Sequence, residues 1–256
     1  MISIKSDREI ELMRKAGEIV GNTHHYLMDY IKPGITTKEL DELANDFILK
    51  SDATPSFKGL YGFPGTICIS INDEVVHGIP GNRKLKNGDI ITLDIGACYK
   101  GYHGDSAWTY PVGKISPKRE KLLKQTEATL YEGLSVIKDG VHLGDVSNKI
   151  ETYARKCKLG VVKELVGHGI GNKVHEEPDV PNYGKKNTGP ILREGMTIAV
   201  EPMLNMGSAD VAMLDDDWTI VTMDGLPSAH FEHTVLVTKD GYEILTKRWK
   251  NAKEKC

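Results

Sequence analysis

The stretch DIITLDIGACYKGYHGDSAWTY, residues 89–110, decides the fold predicted for this chain of 256 residues. Its first part, residues 89–98, is apolar enough for a buried strand and runs into a tight turn near Lys100-Gly101. A return strand follows over residues 106–110. The stretch therefore predicts a long antiparallel hairpin built on a buried strand.

Two aspartates belong to this hairpin. Asp94 and Asp105 lie eleven positions apart, and a connecting loop with an even number of residues would place both side chains on one face. The ordinary alternative is that one aspartate ends a strand and the other lies at the surface. Two facing carboxylates inside a sheet repel each other strongly unless a positive charge lies between them. Because Asp94 directly follows the apolar run Ile90–Leu93, we expect a cation between the two.

The segments on either side of the hairpin follow one order, two helices and then strands. Ser6 with Glu9 fits a capping box that starts a first helix, and Thr36 with Glu39 starts a second. Two further helices are predicted after the hairpin, one opening at residue 116 and one over about residues 144–157. Strands are predicted at residues 67–71, 161–166, 196–203, 218–223 and 231–238.

This repeated order predicts an α+β fold with one domain over residues 1–256. We expect two αβ halves, approximately residues 1–113 and 114–246, with a central antiparallel sheet and outer helices. The join near residues 112–116 is too short for a flexible linker, so both halves should share one sheet system. The longest irregular stretch, residues 169–192, is typical of a functional loop.

Composition excludes several classes of protein. A formal net charge of -3 lacks the basic excess that binding to nucleic acid or an anionic membrane surface requires. No apolar run approaches the roughly 20 residues that span a bilayer, and the N-terminus lacks the apolar core of a signal peptide. The four cysteines are widely spaced, which favours a reduced, cytoplasmic chain over a disulfide framework or a zinc ribbon.

Three more residues of metal-binding type lie at or inside apolar strands. His168 is flanked by glycines in GHGIG, Glu201 lies within TIAVEPM, and Glu232 lies within FEHTVLV. Singly, each is more often a surface residue or a hydrogen-bonded core residue, but unpaired buried carboxylates are rare. Together with Asp94 and Asp105 they make four carboxylates and one imidazole, which suits two divalent cations such as Mn(II), Fe(II) or Co(II).

Two histidines lie in loops beside these strands. His77 precedes Gly78, and His175 lies in VHEEP, and the neighbouring glycine and proline residues indicate shaped loops that could hold a binding group. A lone histidine is more often a surface residue. The GHGIG segment is not a phosphate-binding loop, because it lacks both the dinucleotide spacing and a following Lys-Ser/Thr.

With these motifs assembled, the chain resembles the type I methionine aminopeptidases over about residues 10–246. Five separated motifs carry the resemblance in the family's order: CISINDEVVHGIP at 68–80, DI with HGDSA at 94–107, GHGIG with VHEEP at 167–178, TIAVEPML at 197–204 and HFEHTVLVT at 230–238. The resemblance implies the pita-bread fold, in which two pseudo-symmetric halves enclose a dinuclear metal site.

The resemblance also implies a role for each candidate residue. The metal ligands are Asp94, Asp105, His168, Glu201 and Glu232, with Asp105 and Glu232 bridging both ions. Glu201 is also the expected general base, His175 the donor to the substrate carbonyl oxygen, and His77 a contact of the scissile amide. The methionine side-chain pocket is expected to be lined by Phe63, Cys68 and Trp218.

The implied activity is removal of the initiator methionine from nascent polypeptides whose second residue is small and uncharged. Two divalent ions per chain, Co, Mn, Fe or Zn, are the implied cofactors, in a cytoplasmic monomer that is expected to associate with the ribosome. The absence of an N-terminal zinc-finger extension predicts a minimal bacterial enzyme. Four positions depart from the better-known bacterial pattern and bear on the shape of the pocket: Leu60, Tyr61, Gly96 and Val174.

Two other readings remain open at this point. A prolidase or aminopeptidase P uses the same fold and ligand types, but these families carry a large additional N-terminal domain for which this chain has no room. A pita-bread binding protein that has lost its metals is the non-enzymatic alternative, although all five ligand positions are intact here. No role is assigned to the tail, residues 247–256.

Overall fold

Four α-helices and fifteen strands make up the structure, a computed structural model that describes residues 2–247. The helices are α1 (Asp7–Met28), α2 (Thr37–Lys50), α3 (Pro117–Leu134) and α4 (Leu143–Lys156). The strands of the first half of the chain are β1 (Thr54–Pro55), β2 (Cys68–Ile71), β3 (Glu74–Val76), β4 (Ile90–Tyr99) and β5 (Tyr102–Pro111).

The remaining ten strands have two to five residues each. They are β6 (Gly160–Val161), β7 (Gly167–Gly169), β8 (Glu176–Val180), β9 (Thr197–Val200), β10 (Met203–Asn205), β11 (Val211–Met213), β12 (Ile220–Thr222), β13 (Ser228–His230), β14 (His233–Val237) and β15 (Tyr242–Ile244). Two helices followed by strands therefore occur twice, as predicted. The division of the chain into halves at residues 113 and 114 stays a prediction.

Both predicted capping boxes are present at the helix starts. At α1, the Ser6 backbone N–H donates to the Glu9 carboxylate at 2.8 Å. At α2, the Thr36 hydroxyl accepts from the Glu39 N–H at 3.1 Å, and the Glu39 carboxylate accepts from the Thr36 N–H at 2.7 Å. Each box satisfies backbone donors that the first helical turn leaves unpaired, which is why both helices begin where the sequence predicts.

The predicted hairpin is confirmed as the longest paired unit of the structure. Strands β4 and β5 pair antiparallel from Ile90 opposite Pro111 to Tyr99 opposite Tyr102. The two turn residues, Lys100 and Gly101, both have positive φ, 49° and 86°, as a tight two-residue hairpin turn requires. Strands β2 and β1 pair with the other edge of β4, so β4 is an interior strand.

Three further sheets complete the fold. The largest has the order β15-β14-β9-β7-β8, and two three-stranded sheets have the orders β13-β10-β6 and β11-β12-β3. The mixture of outer helices and antiparallel sheets confirms the α+β class. No helix within residues 2–247 combines the length and apolar character needed to cross a membrane.

Two strand predictions and one loop prediction in the second half were wrong in detail. Residues 162–166 are not a strand, because β6 ends at Val161 and β7 begins at Gly167. The strand predicted over 196–203 divides into β9 and β10 at Glu201-Pro202, since proline has no N–H for a sheet ladder. The stretch 169–192 contains β8, whose sequence EEPDV is too polar to predict a strand.

Helix α1 packs across β4 and β5 and also against the end of the described chain. A side chain on Gly17 would overlap the carbonyl oxygen of Leu245, and one on Gly21 would overlap that of Lys247. These glycines let the backbone of residues 245–247 lie directly on the helix. Residues 248–256, most of the tail left without a role, lie outside the described residues.

Candidate metal centre

The hairpin places its two aspartates on one face, as predicted. Asp94 lies opposite Ala107, and Asp105 lies opposite Gly96, two positions further along β4. Residues two apart on a strand share a face, so the two carboxylates are diagonal neighbours. One oxygen of each, Oδ1, is buried without a hydrogen-bond partner among the described residues.

Hydrogen bonds between distant parts of the chain bring Glu232 to the hairpin. The N–H of Glu232 donates to the carbonyl oxygen of Ala107 at 2.8 Å, and the Ser106 hydroxyl donates to the carbonyl oxygen of Glu232 at 2.7 Å. Beyond it, the Thr234 hydroxyl donates to the carbonyl oxygen of Asp105 at 2.8 Å. These bonds fix the Glu232 backbone beside the two aspartates.

His168 presents one ring nitrogen to this acidic group. Its Nδ1–H donates to the carbonyl oxygen of Gly169 at 2.9 Å, which leaves Nε2 as the nitrogen with a free lone pair. Nε2 lies 3.9 Å from Asp105 Oδ2 and 3.5 Å from Glu201 Oε1. Ligand atoms of Asp105, His168 and Glu232 all lie within 4.8 Å of one another.

Within residues 2–247, the charge of these carboxylates has no lysine or arginine counterion. Among the described residues their only ion-pair partners are histidines, and burial lowers the pKa of His168. Burial raises the pKa of Asp94 to about 7 and that of Glu201 to about 7. Burial, together with the neighbouring charges, also raises the pKa of Asp105 and Glu232 well above the usual range.

These observations fit a divalent cation site. Asp94, Asp105 and Glu232 each keep a buried oxygen without a partner in the described part of the chain, and His168 adds an unprotonated nitrogen. Carboxylate oxygens with one imidazole and no thiolate form a donor set typical of Mn(II), Fe(II) or Co(II). A cation would therefore compensate a negative charge that the protein itself does not.

His230 is a member of the site that sequence reasoning missed. It is buried, and its Nε2 lies 3.4 Å from Glu201 Oε2 without hydrogen-bond geometry. Burial lowers its pKa to about 4, so its imidazole is neutral near pH 7. Its position two residues before Glu232, in extended chain, could have identified it, because residues i and i+2 of a strand share a face.

The two loop histidines both reach the centre. His77 follows β3 and contacts the ring of Trp218 edge-on at 6.4 Å. His175 precedes β8, and its ring lies 4.5 Å from that of His168 and 6.1 Å from that of Tyr61. Burial lowers the pKa of His77 to about 4 and also lowers that of His175. Both are neutral imidazoles that can donate one hydrogen bond each near pH 7.

An apolar cavity of about 270 Å³ opens onto the centre. The rings of Phe63 and Trp218 meet edge to face at 5.0 Å in its wall, and Cys68 pairs with Asp94 across β2 and β4. The cavity walls therefore include all three residues predicted for the side-chain pocket. Besides the two loop histidines and the residues of the centre, the walls also include Phe57, Leu60 and Tyr61.

The departures from the family pattern have visible effects on this cavity. A Cβ on Gly96 would lie 2.6 Å from the ring of Phe57, so the glycine makes room for a phenylalanine that sequence reasoning missed. Val174 is buried in the same apolar cluster, against which Leu60 packs. Tyr61 lies at the rim with 78% of its surface exposed.

A second, polar cleft of about 790 Å³ reaches the same centre. It shares Asp94, His168 and Glu201 with the apolar cavity. Its outer wall comes from the chain before α1 and from the loop after GHGIG, including Lys5, Lys173 and Glu176. The centre thus lies between an enclosed apolar cavity and an open polar cleft.

Comparison with known proteins agrees with this arrangement. Residues 11–239 match metallopeptidase family M24. Methionine aminopeptidase 1 of Bacillus subtilis (strain 168) is 56% identical over 247 residues, which cover 96% of this chain and 100% of that protein. The crystal structure of methionine aminopeptidase from Rickettsia prowazekii superposes with a TM-score of 0.95 at 41% identity, covering 96% of this chain and 100% of that one.

A more distant structure shares the fold over part of its length. Xaa-Pro dipeptidase from Bacillus anthracis superposes with a TM-score of 0.78 at 25% identity. The match covers 97% of this chain but only 63% of that protein. This agrees with the expectation that proline-directed relatives carry additional domains.

Proposed function

The chain belongs to metallopeptidase family M24, among its methionine aminopeptidases, and from that premise we propose which of its residues carry the reaction. The enzyme is a metal-dependent aminopeptidase that removes the initiator methionine from polypeptides whose second residue is small and uncharged. The observation that carries the residue assignments is the apolar cavity that opens directly onto a cluster of buried, uncompensated carboxylates.

We propose that two divalent ions, Co, Mn, Fe or Zn, are held by Asp94, Asp105, His168, Glu201 and Glu232. By the resemblance to the family, Asp105 and Glu232 would be shared by both ions; the carboxyl group of each experiences the charge of neighbouring carboxylates of the cluster. When bound, such ions lower the pKa of water and polarise the scissile carbonyl group. The unpartnered oxygens and the free lone pair of His168 support this assignment.

Three residues then handle protons and hydrogen bonds. Glu201 is the general base, which takes a proton from the attacking water and delivers it to the leaving amine. His175 donates to the carbonyl oxygen as negative charge develops on it. His77 contacts the scissile amide. The lowered pKa values of both histidines, which burial causes, support their action as neutral donors near pH 7.

The apolar cavity is the proposed site for the methionine side chain. Its walls of Phe63, Trp218 and Cys68 offer sulfur–aromatic contacts that suit an unbranched thioether. Burial and the neighbouring carboxylates raise the pKa of the Cys68 thiol well above its usual value. Cys68 therefore stays neutral and acts as an apolar part of the wall.

We also propose that the enzyme acts as a monomer in the cytoplasm, on nascent polypeptides at the ribosome. All five proposed ligands come from one chain, so the centre needs no partner subunit. Cys68, Cys98 and Cys157 are free thiols, as is usual in a reducing compartment.

A peptide series tests the substrate assignment. Met-Ala-Ser should be cleaved well and Met-Phe-Ser hardly at all. For Leu-Ala-Ser, kcat/KM should be lower than for Met-Ala-Ser by a factor that corresponds to about 1–3 kcal/mol of discrimination. The measurement is kcat/KM for each peptide with Mn(II) or Co(II) present. Equal cleavage of Met-Ala-Ser and Met-Phe-Ser, or a demand for proline at the second position, would favour the proline-directed alternative. Full activity after chelation would contradict the metal assignment.

A further inference from the structure

The segment before α1, residues 2–6, is here called the N-terminal arm. Its Lys5 is a buried lysine, with a side chain only 5% exposed. The Lys5 ammonium lies 2.8 Å from Glu176 Oε2 and also donates to the Ser3 hydroxyl. The Lys5 backbone N–H donates to the carbonyl oxygen of Gly195 at 2.8 Å. Both the backbone and the charged end of this lysine are therefore fixed in place.

The partner of Lys5 organises the loop that carries His175. Glu176 follows His175 directly, and its second oxygen, Oε1, accepts the Lys173 backbone N–H at 3.1 Å. Within the same loop, the Gly171 N–H donates to the carbonyl oxygen of Lys173 at 3.0 Å. One carboxylate thus closes the loop of residues 171–176 and ties it to the N-terminal arm.

The final glycine of GHGIG makes room for this lysine. A Cβ on Gly171 would lie 2.6 Å from Lys5 Cε and 2.7 Å from Glu176 Oε1. Any side chain at Gly171 would therefore push the lysine stem and the carboxylate apart. The glycine, the lysine and the glutamate form one local arrangement, although Lys5 lies 171 positions before Glu176 in the sequence.

Few side-chain interactions fix the orientation of the His175 imidazole. No described residue forms a hydrogen bond with its ring, and the described aromatic rings in contact with it are those of His168 and Tyr61. Tyr61 is exposed at the rim and offers a weak support. The orientation of His175 must therefore come from the backbone of its loop, which Glu176 and Lys5 fix.

We propose that Lys5 is a positioning residue: its ion pair with Glu176 sets the direction in which His175 presents its imidazole to the substrate. This inference rests on the proposed role of His175 as the donor to the carbonyl oxygen. Lys5 does not touch the substrate in this scheme and acts through the loop of residues 171–176. A displaced donor loses most of its effect in the transition state, so the loss should fall on kcat.

The test uses the full chain loaded with Mn(II) and the peptide Met-Ala-Ser. Lys5→Met should lower kcat about 10-fold or more while KM changes less than about twofold. Glu176→Gln should lower kcat to a similar extent, and the double variant should be no worse than the worse single one, because both remove one contact. Lys5→Arg, which keeps the charge, should recover most of the activity. Metal content should match the unmodified enzyme in every variant.

Arg14→Met is the matched control. Arg14 also joins the start of the chain to its end, through a two-bond ion pair with Glu243 at 2.6 and 2.8 Å, but neither residue lines the cleft or the cavity. This control should lower Tm without changing kcat. An equal fall of kcat in Arg14→Met and Lys5→Met would show that Lys5→Met acts only through a general loss of stability. This result would overturn the inference.

A background variant separates this inference from the proposed function. In His175→Ala, the further change Lys5→Met should have no additional effect on kcat. If His175→Ala lowers kcat but Lys5→Met and Glu176→Gln do not, only the positioning role of Lys5 is wrong. If His175→Ala itself leaves kcat unchanged, the proposed role of His175 is wrong. Should Lys5→Met not fold, Glu176→Gln, which keeps the shape of the side chain, carries the same test.

Discussion

The two sides of the metal centre are built in different ways. Asp94 and Asp105 lie on one hairpin, where ten consecutive residue pairs fix their relative position. His168, Glu201 and Glu232 lie on three separate segments. The strands that contain or adjoin them, β7, β9 and β14, have at most five residues each. On the hairpin side, local register sets the geometry. On the other side, the geometry depends on contacts between residues far apart in the sequence, such as that of Glu232 with Ala107.

The largest expected effect lies on the hairpin side. Asp105→Asn removes the carboxylate assigned to both ions, so kcat with any of the candidate metals should fall roughly 10³-fold or more, which corresponds to several kcal/mol of lost metal-ion catalysis. Because the hairpin register does not depend on this side chain, circular dichroism should show an intact fold. Metal analysis and steady-state kinetics measure both consequences. An active, metal-loaded variant would show that Asp105 is not a shared ligand.

In the metal-free protein, the same substitution should be favourable, because it should raise Tm at neutral and higher pH. Burial and the charge of Asp94 raise the pKa of Asp105 in the folded state, so the native protein binds this proton more tightly than the unfolded chain does. The metal-free enzyme therefore loses stability as the pH rises above the ordinary aspartate pKa of 3.8. Metal-free Asp105→Asn should match the unmodified protein in Tm near about pH 4 and exceed it near about pH 8. A Tm difference independent of pH would contradict this assignment of the charge.

A smaller effect is expected on the other side of the centre. His175→Ala should lower kcat by roughly 10²-fold with a smaller change in KM, because a donor to the developing oxyanion acts mainly in the transition state. The metal content should be unchanged, since His175 is not among the proposed ligands. Steady-state kinetics and metal analysis of the purified variant test both points. Loss of metal would make His175 a ligand and would change the proposed mechanism.

The smallest effects come from paired glycine substitutions, one on each side. In Gly96→Ala the new Cβ would lie 2.6 Å from the ring of Phe57 and 2.7 Å from Ser56 Cβ, and of these two neighbours the ring can move by rotation of its side chain. In Gly169→Ala it would overlap the backbone carbonyl oxygen of Glu177, which cannot shift without moving β8. We expect Gly169→Ala to lose about 1–3 kcal/mol in the free energy of unfolding, more than Gly96→Ala loses. Gly96→Ala should instead raise KM, because Phe57 lines the methionine cavity.

Urea unfolding of both glycine variants, with KM measured for Met-Ala-Ser, compares the two sides directly. Equal losses of stability would mean that the short strands around β7 tolerate displacement as well as the hairpin does. An unchanged KM in Gly96→Ala would show that the position of Phe57 does not affect methionine binding.

The same difference explains how much of the site could be predicted from the sequence. The shared face of Asp94 and Asp105 follows from alternation along one hairpin, and the helix starts follow from local capping at Ser6 and Thr36. Strand β8 could not be predicted, because its polar residues pair with β7 only in the folded sheet. His230 is within reach of the same alternation argument, because it precedes Glu232 by two residues.

The burial of Lys5 could not be predicted from any local sequence pattern. A lysine near the start of a chain is typical of solvent-exposed sequence, and its burial depends on Glu176, which is 171 positions away. The space for it comes from Gly171, a residue that the sequence shows only as part of a glycine-rich motif. Contacts of this kind depend on the assembled tertiary structure, so propensity and periodicity do not reveal them.

The close contact of Gly17 and Gly21 with residues 245–247 affects how the chain folds during translation. Helix α1 is synthesised long before residues 245–247, the backbone that covers its glycine face. Contacts of such long sequence separation form late, because the intervening chain must first be ordered. During translation the glycine face of α1 therefore stays exposed until residues 245–247 have been synthesised. A chain that stops before Leu245 should keep that face exposed, where chaperones can bind it and incorrect contacts can form.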